Sequence, residues 1–248
     1  MIKKIVLWIL IALIILTAIV IGGVVIWASL STAEPMPEAL LALRSTDEVD
    51  VTTEGWLVFT PRKIIPTTGF IFYPGGLVDP RAYAPPARAI AAEGYQVVIV
   101  PMPLNLAVFG SGKATDVITA FPEIKQWVIG GHSLGGTMAS QYAGQNPGKV
   151  SGLALWASYP AESNNLSNNY LTALSIYGTK DGLVTQENIE NSQTLLPSDT
   201  KFVAIEGGNH AQFGWYGSQG GDNPATINRL EQQEQAIAAT LSLLNQIQ

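Results

Sequence analysis

A chain of 248 residues with no cysteine and a formal charge of −6 has room for one sizeable domain, but cannot form disulfides or thiolate metal sites. Its apolar share of 47% makes a folded core the expectation, and an acidic balance without clustered Lys and Arg excludes nucleic acid as a partner. Two histidines and no H-E-x-x-H exclude a His-rich zinc site, so no metal is expected.

The chain opens with "MIKK" and then an uncharged apolar run from Ile5 to Leu30. As a helix at ~1.5 Å per residue, that run would be roughly 39 Å long, enough to cross a ~30 Å hydrocarbon core. Lys3 and Lys4 precede it, and the positive-inside rule keeps them cytoplasmic and sends the rest of the chain outside. The expected reading is therefore a single-pass membrane anchor over residues 1–30. A cleaved signal peptide, with the small residues Ser31–Ala33 as its site, is the alternative, although signal h-regions run to only ~7–15 residues. A buried core helix is a third reading. Residues 31–50, rich in Ala, Pro, Ser, Thr and acids, read as a stalk with one helical turn through "PEALLALR".

From residue 51 to 248 apolar strands alternate with helices. "GWLVFTP" and "GFIFYPGG" are runs bounded by Gly and Pro and read as strands. Helix "RAYAPPARAIAAEGY", strand "QVVIVPMP", a helix near Ala114–Phe121, strand "QWVIGG" and helix Leu134–Gln145 follow. Strands "SGLALWASYP" and "TALSIYGTKDG", helix Gln186–Leu195, strand "KFVAIEGG" and a long helix near Thr226–Leu244 complete the order. Near-continuous apolar strands are buried on both faces, and the alternation implies a mostly parallel sheet covered by helices. Working residues are then expected on loops at the carboxyl ends of the strands.

One such loop is "GGHSLGG", between a strand and a helix. Gly131-His132-Ser133-Leu134-Gly135 is a G-x-S-x-G in the context a nucleophile elbow requires. The turn projects Ser133 outward, and Gly131, Gly135 and Gly136 keep side chains out of the crowded backbone. The helix start aims the Leu134 N–H at an oxyanion. A serine needs a base, and His210, in "IEGGNHAQFG" after the last strand, stands where one could reach Ser133. His132 adjoins Ser133 and reads as a packing residue. Asp181, in "IYGTKDGLV", is the expected acid, because it follows a strand and completes the order nucleophile, acid, base. Glu206, read as lying within a strand, and Asp222, in a Gly-rich stretch, are its rivals. A second oxyanion donor is expected from "FYPGGLVD": Pro74 has no N–H, so Gly76 is preferred, with Leu77 next. Leu77, Met102 with Pro103 and Leu104, Phe213, Trp215 and Tyr216 are candidate pocket residues.

These residues resemble the α/β-hydrolase superfamily, and most nearly its compact bacterial dienelactone-hydrolase-like branch, over about Gly55 to Gln246. The resemblance implies an α/β-hydrolase fold and an esterase-type activity that needs no cofactor. It makes Ser133 the nucleophile, Asp181 the acid, His210 the base, and Gly76 and Leu134 the oxyanion donors. The chain departs from the branch in having no cysteine nucleophile, so the lactone substrate is not inherited. Pro74 stands where many members carry the His of an HG motif. Only "AESNNLSNNY" follows the strand at Ser151–Pro160, so no large lid is expected. The function so implied is a serine hydrolase acting on a carboxylic ester or related small acyl substrate. A thioesterase, an amidase or peptidase, and a non-catalytic binding protein on the same fold are the alternatives.

Overall fold

The computed structural model describes residues 2–247, except for the side chains of residues 2, 3, 5 and 6. It divides into two compact units, Met1–Thr32 and Ala33–Gln248. The first contains helix α1 (Ile2–Ser31). Within it, Leu7–Ser31 is 25 residues long and apolar enough to cross a membrane. Its large apolar side chains, Trp8, Ile14, Ile19 and Leu30 among them, are exposed, which a core helix of this chain would not show. Of the two lysines expected to orient the segment, Lys4 is exposed and the side chain of Lys3 lies outside the described residues.

The second unit begins earlier than a free stalk would allow. Ala33 donates its N–H to Leu77 O at 2.8 Å and accepts from Asp79 N–H at 3.0 Å. Met36 N–H bonds Trp215 O at 2.7 Å. Helix α2 (Pro37–Leu41) follows, and then strand β1 (Val49–Thr52). Ala39, Ala42 and Val49 are buried. Polar composition concealed this packing, because three small or apolar side chains in a polar stretch suffice to anchor it.

The remaining strands are β2 (Leu57–Pro61), β3 (Thr68–Tyr73), β4 (Gln96–Ile99), β5 (Gln126–His132), β6 (Gly152–Trp156), β7 (Thr172–Gly178) and β8 (Lys201–Ile205). They form one eight-stranded sheet in the order β1-β2-β4-β3-β5-β6-β7-β8. β2 runs antiparallel to both of its neighbours, β1 and β4. From β4 across to β8 every pairing is parallel. The intervening helices are α3 (Ala84–Ala92), α4 (Ala114–Ala120), α5 (Leu134–Gln145), α6 (Gln186–Ser192) and α7 (Arg229–Leu244).

Successive strand residues point to opposite faces, so a strand covered on both sides must be apolar throughout. In β3, Phe70 and Phe72 join α3 and α7 in one core, while Ile71 and Tyr73 join α4 and α5 in the other. All six β3 residues are buried. Hence the strand shows no alternation in its sequence. Parallel pairing also brings the carboxyl ends of β3 to β8 to one edge, where the site lies.

The packing of residues 33–50 predicts where the chain can be shortened. A chain starting at Ala33 should keep the urea midpoint of the second unit. One starting at Val51 loses α2 and half of β1 and should unfold at clearly lower urea, as followed by circular dichroism.

Candidate active site

Ser133 sits between β5 and α5 with φ 52° and ψ −125°. A positive φ in a residue with a side chain costs ~1–3 kcal/mol and persists only where the surroundings over-determine it. Here the next strand does so: Ser133 N–H bonds Trp156 O at 3.0 Å, and Ser158 Oγ donates to Ser133 O at 2.7 Å. The flanking glycines are steric requirements. A Cβ on Gly131 would lie 2.6 Å from both Gly135 C and Tyr73 O. A Cβ on Gly135 would collide with the Tyr73 carbonyl. The elbow is thus pressed against the end of β3.

Other non-glycine residues with positive φ are Leu77, Leu104, Asn105 and Ala157. With Ser133 they lie past the carboxyl ends of β3, β4, β5 and β6, which are adjacent in the sheet. Backbone strain is therefore gathered along the edge expected to work.

At that edge His210 is fully buried, and its Nδ1 lies 2.8 Å from Asp181 Oδ2. The other Asp181 oxygen accepts N–H groups from Leu183 (2.8 Å) and Val184 (2.7 Å). A carboxylate so held accepts the Nδ1 proton and leaves the neutral imidazole with a bare Nε2. Among the described residues this Nε2 has no hydrogen-bond partner. Asp181 and His210 are thus brought together as the sequence suggested, with Ser133 on the same sheet edge.

The rival acids stand elsewhere. β8 ends at Ile205, so Glu206 lies on the following turn, exposed, and not within the strand. Asp222 bonds no imidazole and collects backbone N–H groups: Gly182 (3.1 Å), His210 (3.2 Å), Ala211 (2.9 Å) and its neighbour Asn223 (2.9 Å). It therefore joins the loop of Asp181 to the loop of His210. A lone Asp in a Gly-rich stretch carried no signal of that role.

On the loop after β3, Leu77 gives its N–H to Asn105 O at 2.7 Å, so it cannot serve an oxyanion. Among the described residues nothing accepts the Gly76 N–H. A Cβ built on Gly76 would lie 3.0 Å from Leu134 Cδ2, so the Leu134 side chain packs against this glycine. The Leu134 N–H opens α5, where helical geometry provides no acceptor.

The pocket candidates divide. Leu77 is half-buried beside Gly76, and Leu106 also approaches that glycine. Met102 is 6% exposed. Phe213 is fully buried, its ring stacked on His132 at 5.7 Å and 6.2 Å from Trp156, so it supports the site from behind and lines no open pocket. Trp215 is half-buried under the Arg229 guanidinium, and its backbone bonds Ala82 and Met36. Tyr216 is buried, which pushes its phenol well up.

His132 is more than packing. It is fully buried, its Nδ1 lies 2.8 Å from Tyr83 Oη, and its ring is 4.4 Å from that of His210. Burial holds its pKa well below 6.5, and the nearby His210 lowers it further, with the His210 backbone opposing.

Gly135→Ala should abolish activity and lower the melting temperature, because the Tyr73 carbonyl cannot yield without moving β3. Acid stability should report His132. The unfolded chain binds a proton here as pH falls through about 6.5 while the folded chain does not. Stability is therefore complete above that pH and falls by up to ~1.4 kcal/mol per unit below it. His132→Gln should shrink the difference between urea midpoints measured at about pH 7.5 and about pH 5.

Comparison with known proteins agrees with this architecture. No curated protein matches the sequence. In fold, the chain is similar to a Thermoplasma acidophilum protein described as a "predicted CIB-like hydrolase", with TM-score 0.60 and 16% identity over 81% of this chain and 98% of that one. It is also similar to the esterase domain of a Rhodothermus marinus protein, with TM-score 0.57 and 14% identity over 75% and 91%. Thermogutta terrifontis esterase 2, in a form phosphorylated by paraoxon, aligns with TM-score 0.59 and 14% identity over 81% and 95%. The alpha/beta hydrolase family model matches residues 69–234, which include Ser133, Asp181 and His210, and so this chain belongs to the alpha/beta hydrolase family.

Proposed function

We propose that the chain is a serine hydrolase that cleaves carboxylic esters of small acyl substrates, with Ser133 as nucleophile, His210 as base and Asp181 as acid. The observation that carries this reading is the 2.8 Å Asp181–His210 bond, which leaves Nε2 bare on the edge where the strained Ser133 stands. In the reaction, Nε2 takes the Ser133 hydroxyl proton as Oγ attacks the ester carbonyl. The Gly76 and Leu134 N–H groups receive the oxyanion, an interaction strongest in the transition state. Collapse releases the alcohol, which takes its proton from His210, and leaves an acyl group on Ser133. A water deprotonated by His210 then attacks the acyl carbonyl; collapse frees the acid and returns the proton to Ser133. Leu77, Leu106 and Leu134, half-buried around Gly76, offer an apolar wall to the acyl or alcohol portion.

The exposed apolar surface of α1 supports a single-pass anchor, with Lys3 and Lys4 on the cytoplasmic side and the hydrolase unit outside. Activity should then sediment with membranes and be released by detergent. A mature N-terminus near Glu34 would instead identify a cleaved signal.

The catalytic reading is tested with a fluorophosphonate probe, a reagent class suggested by the organophosphate-modified esterase of similar fold. Peptide mass spectrometry should find the label on Ser133. Ser133→Ala and His210→Ala should each lower kcat/KM on a p-nitrophenyl ester by at least about 10³-fold, and Asp181→Asn by about 10³–10⁴-fold. A folded wild-type chain that neither takes the label nor cleaves esters rules the reading out.

A further inference from the structure

The reaction above uses one histidine of the two. His132, next to Ser133, takes no proton in it, yet it is fully buried, and burial holds its pKa well below 6.5. Its imidazole bonds Tyr83, whose Oη lies 2.8 Å from Nδ1. The same Oη accepts the Gly75 N–H at 3.1 Å. A phenol has one proton. Among the described residues Nδ1 is the acceptor within reach of that proton, and this assignment makes the imidazole neutral with its own proton on Nε2. Burial pushes the Tyr83 phenol well above its ordinary pKa, with the Gly75 N–H opposing, so the donor keeps its proton. The Tyr83 ring is fixed between Phe72 at 4.9 Å and Tyr216 at 6.5 Å.

One hydroxyl therefore bonds two residues that adjoin three parts of the site. Gly75 precedes the oxyanion donor Gly76. His132 precedes the nucleophile. The His132 ring lies against the base at 4.4 Å, with Phe213 stacked on it at 5.7 Å. The approach is close: a Cβ on Gly75 would lie 2.8 Å from both His132 Nδ1 and Tyr83 Oη.

We propose that Tyr83 and His132 are a positioning pair, in which the phenol braces the Gly75–Gly76 loop against the elbow and the neutral imidazole seats His210, so that oxyanion donor and base keep a common register. The proposal rests on the roles given above to Ser133, His210 and Gly76. Neither member of the pair touches substrate, so its effect falls on the transition state and spares ground-state binding.

The test uses the full chain in detergent, with Tyr83→Phe, His132→Phe, the double variant and His132→Gln. Each is assayed for kcat and KM on a short-chain p-nitrophenyl ester and for affinity to a trifluoromethyl ketone, whose adduct with Ser133 places an oxyanion on Gly76 and Leu134. Tyr83→Phe and His132→Phe each keep a ring in the core. Either should lower kcat about 10-fold, leave KM within about 2-fold, and weaken the ketone by the same factor as kcat. The double variant should be no worse than the poorer single, as expected for two residues acting as a unit. His132→Gln, which retains an acceptor for the phenol, should recover most of kcat. Wild-type kcat in Tyr83→Phe, losses that add in the double variant, or ketone affinity that does not follow kcat overturns the pair. If Tyr83→Phe does not fold, His132→Phe against His132→Gln decides the question by the same readouts. Ser133→Ala separates the two levels: should it retain activity, the catalytic reading falls and takes the pair with it. A wild type labelled at Ser133 beside an unaltered Tyr83→Phe overturns the pair alone.

Discussion

A carbonyl at the end of β3 lies so close to the turn after β5 that no side chain fits between them. Tyr73 O faces both Gly131 and Gly135, and this contact sets where Ser133 stands. Parallel pairing of β3 with β5 carries Tyr73 level with Gly131. The same register brings the loop after β3, with Gly75 and Gly76, beside the start of α5. The elbow and the Gly75–Gly76 loop are therefore neighbours because two strands are paired in one register. A slip of a single residue would separate them and turn every core side chain to the wrong face.

The hydrogen bonds around the elbow show how its strain is tolerated. A left-handed serine is unfavourable in isolation, but Trp156 and Ser158 at the end of β6 hold its backbone from the far side. Leu77 and Asn105, both left-handed, bond each other across the ends of β3 and β4. Ala157, also left-handed, gives its N–H to Ile176 O of β7 at 2.7 Å. Strain of this kind is a property of the assembled sheet edge, because a loop alone would relax.

His210 and Asp181 are held in a different way. Asp181 places one oxygen on two backbone N–H groups and the other on His210, so the carboxylate has little freedom to rotate. Asp222 gathers the backbones of the two loops that carry them. One carboxylate orients the imidazole and the other orients the chain that bears it. Sequence reading took the two as rivals for one role, since an aspartate on a loop looks the same in either.

The strand and helix order, the elbow and the roles expected of Asp181 and His210 were legible in the residues themselves. Apolar runs between Gly and Pro follow from burial on both faces, and a serine hemmed in by glycine follows from a tight turn, both being local consequences of covalent geometry. Packing of residues 33–50 onto the domain, the engagement of the Leu77 N–H by Asn105, the burial of Phe213 and the joining of Gly75, Tyr83 and His132 were not legible. Each depends on segments distant in the chain meeting at one edge, and composition and spacing carry no record of which distant carbonyl or hydroxyl a given N–H will find. The sequence determined which groups could do chemistry; the tertiary structure decided which were free to do it, because a hydrogen-bonding group has a role only once its partners are in place.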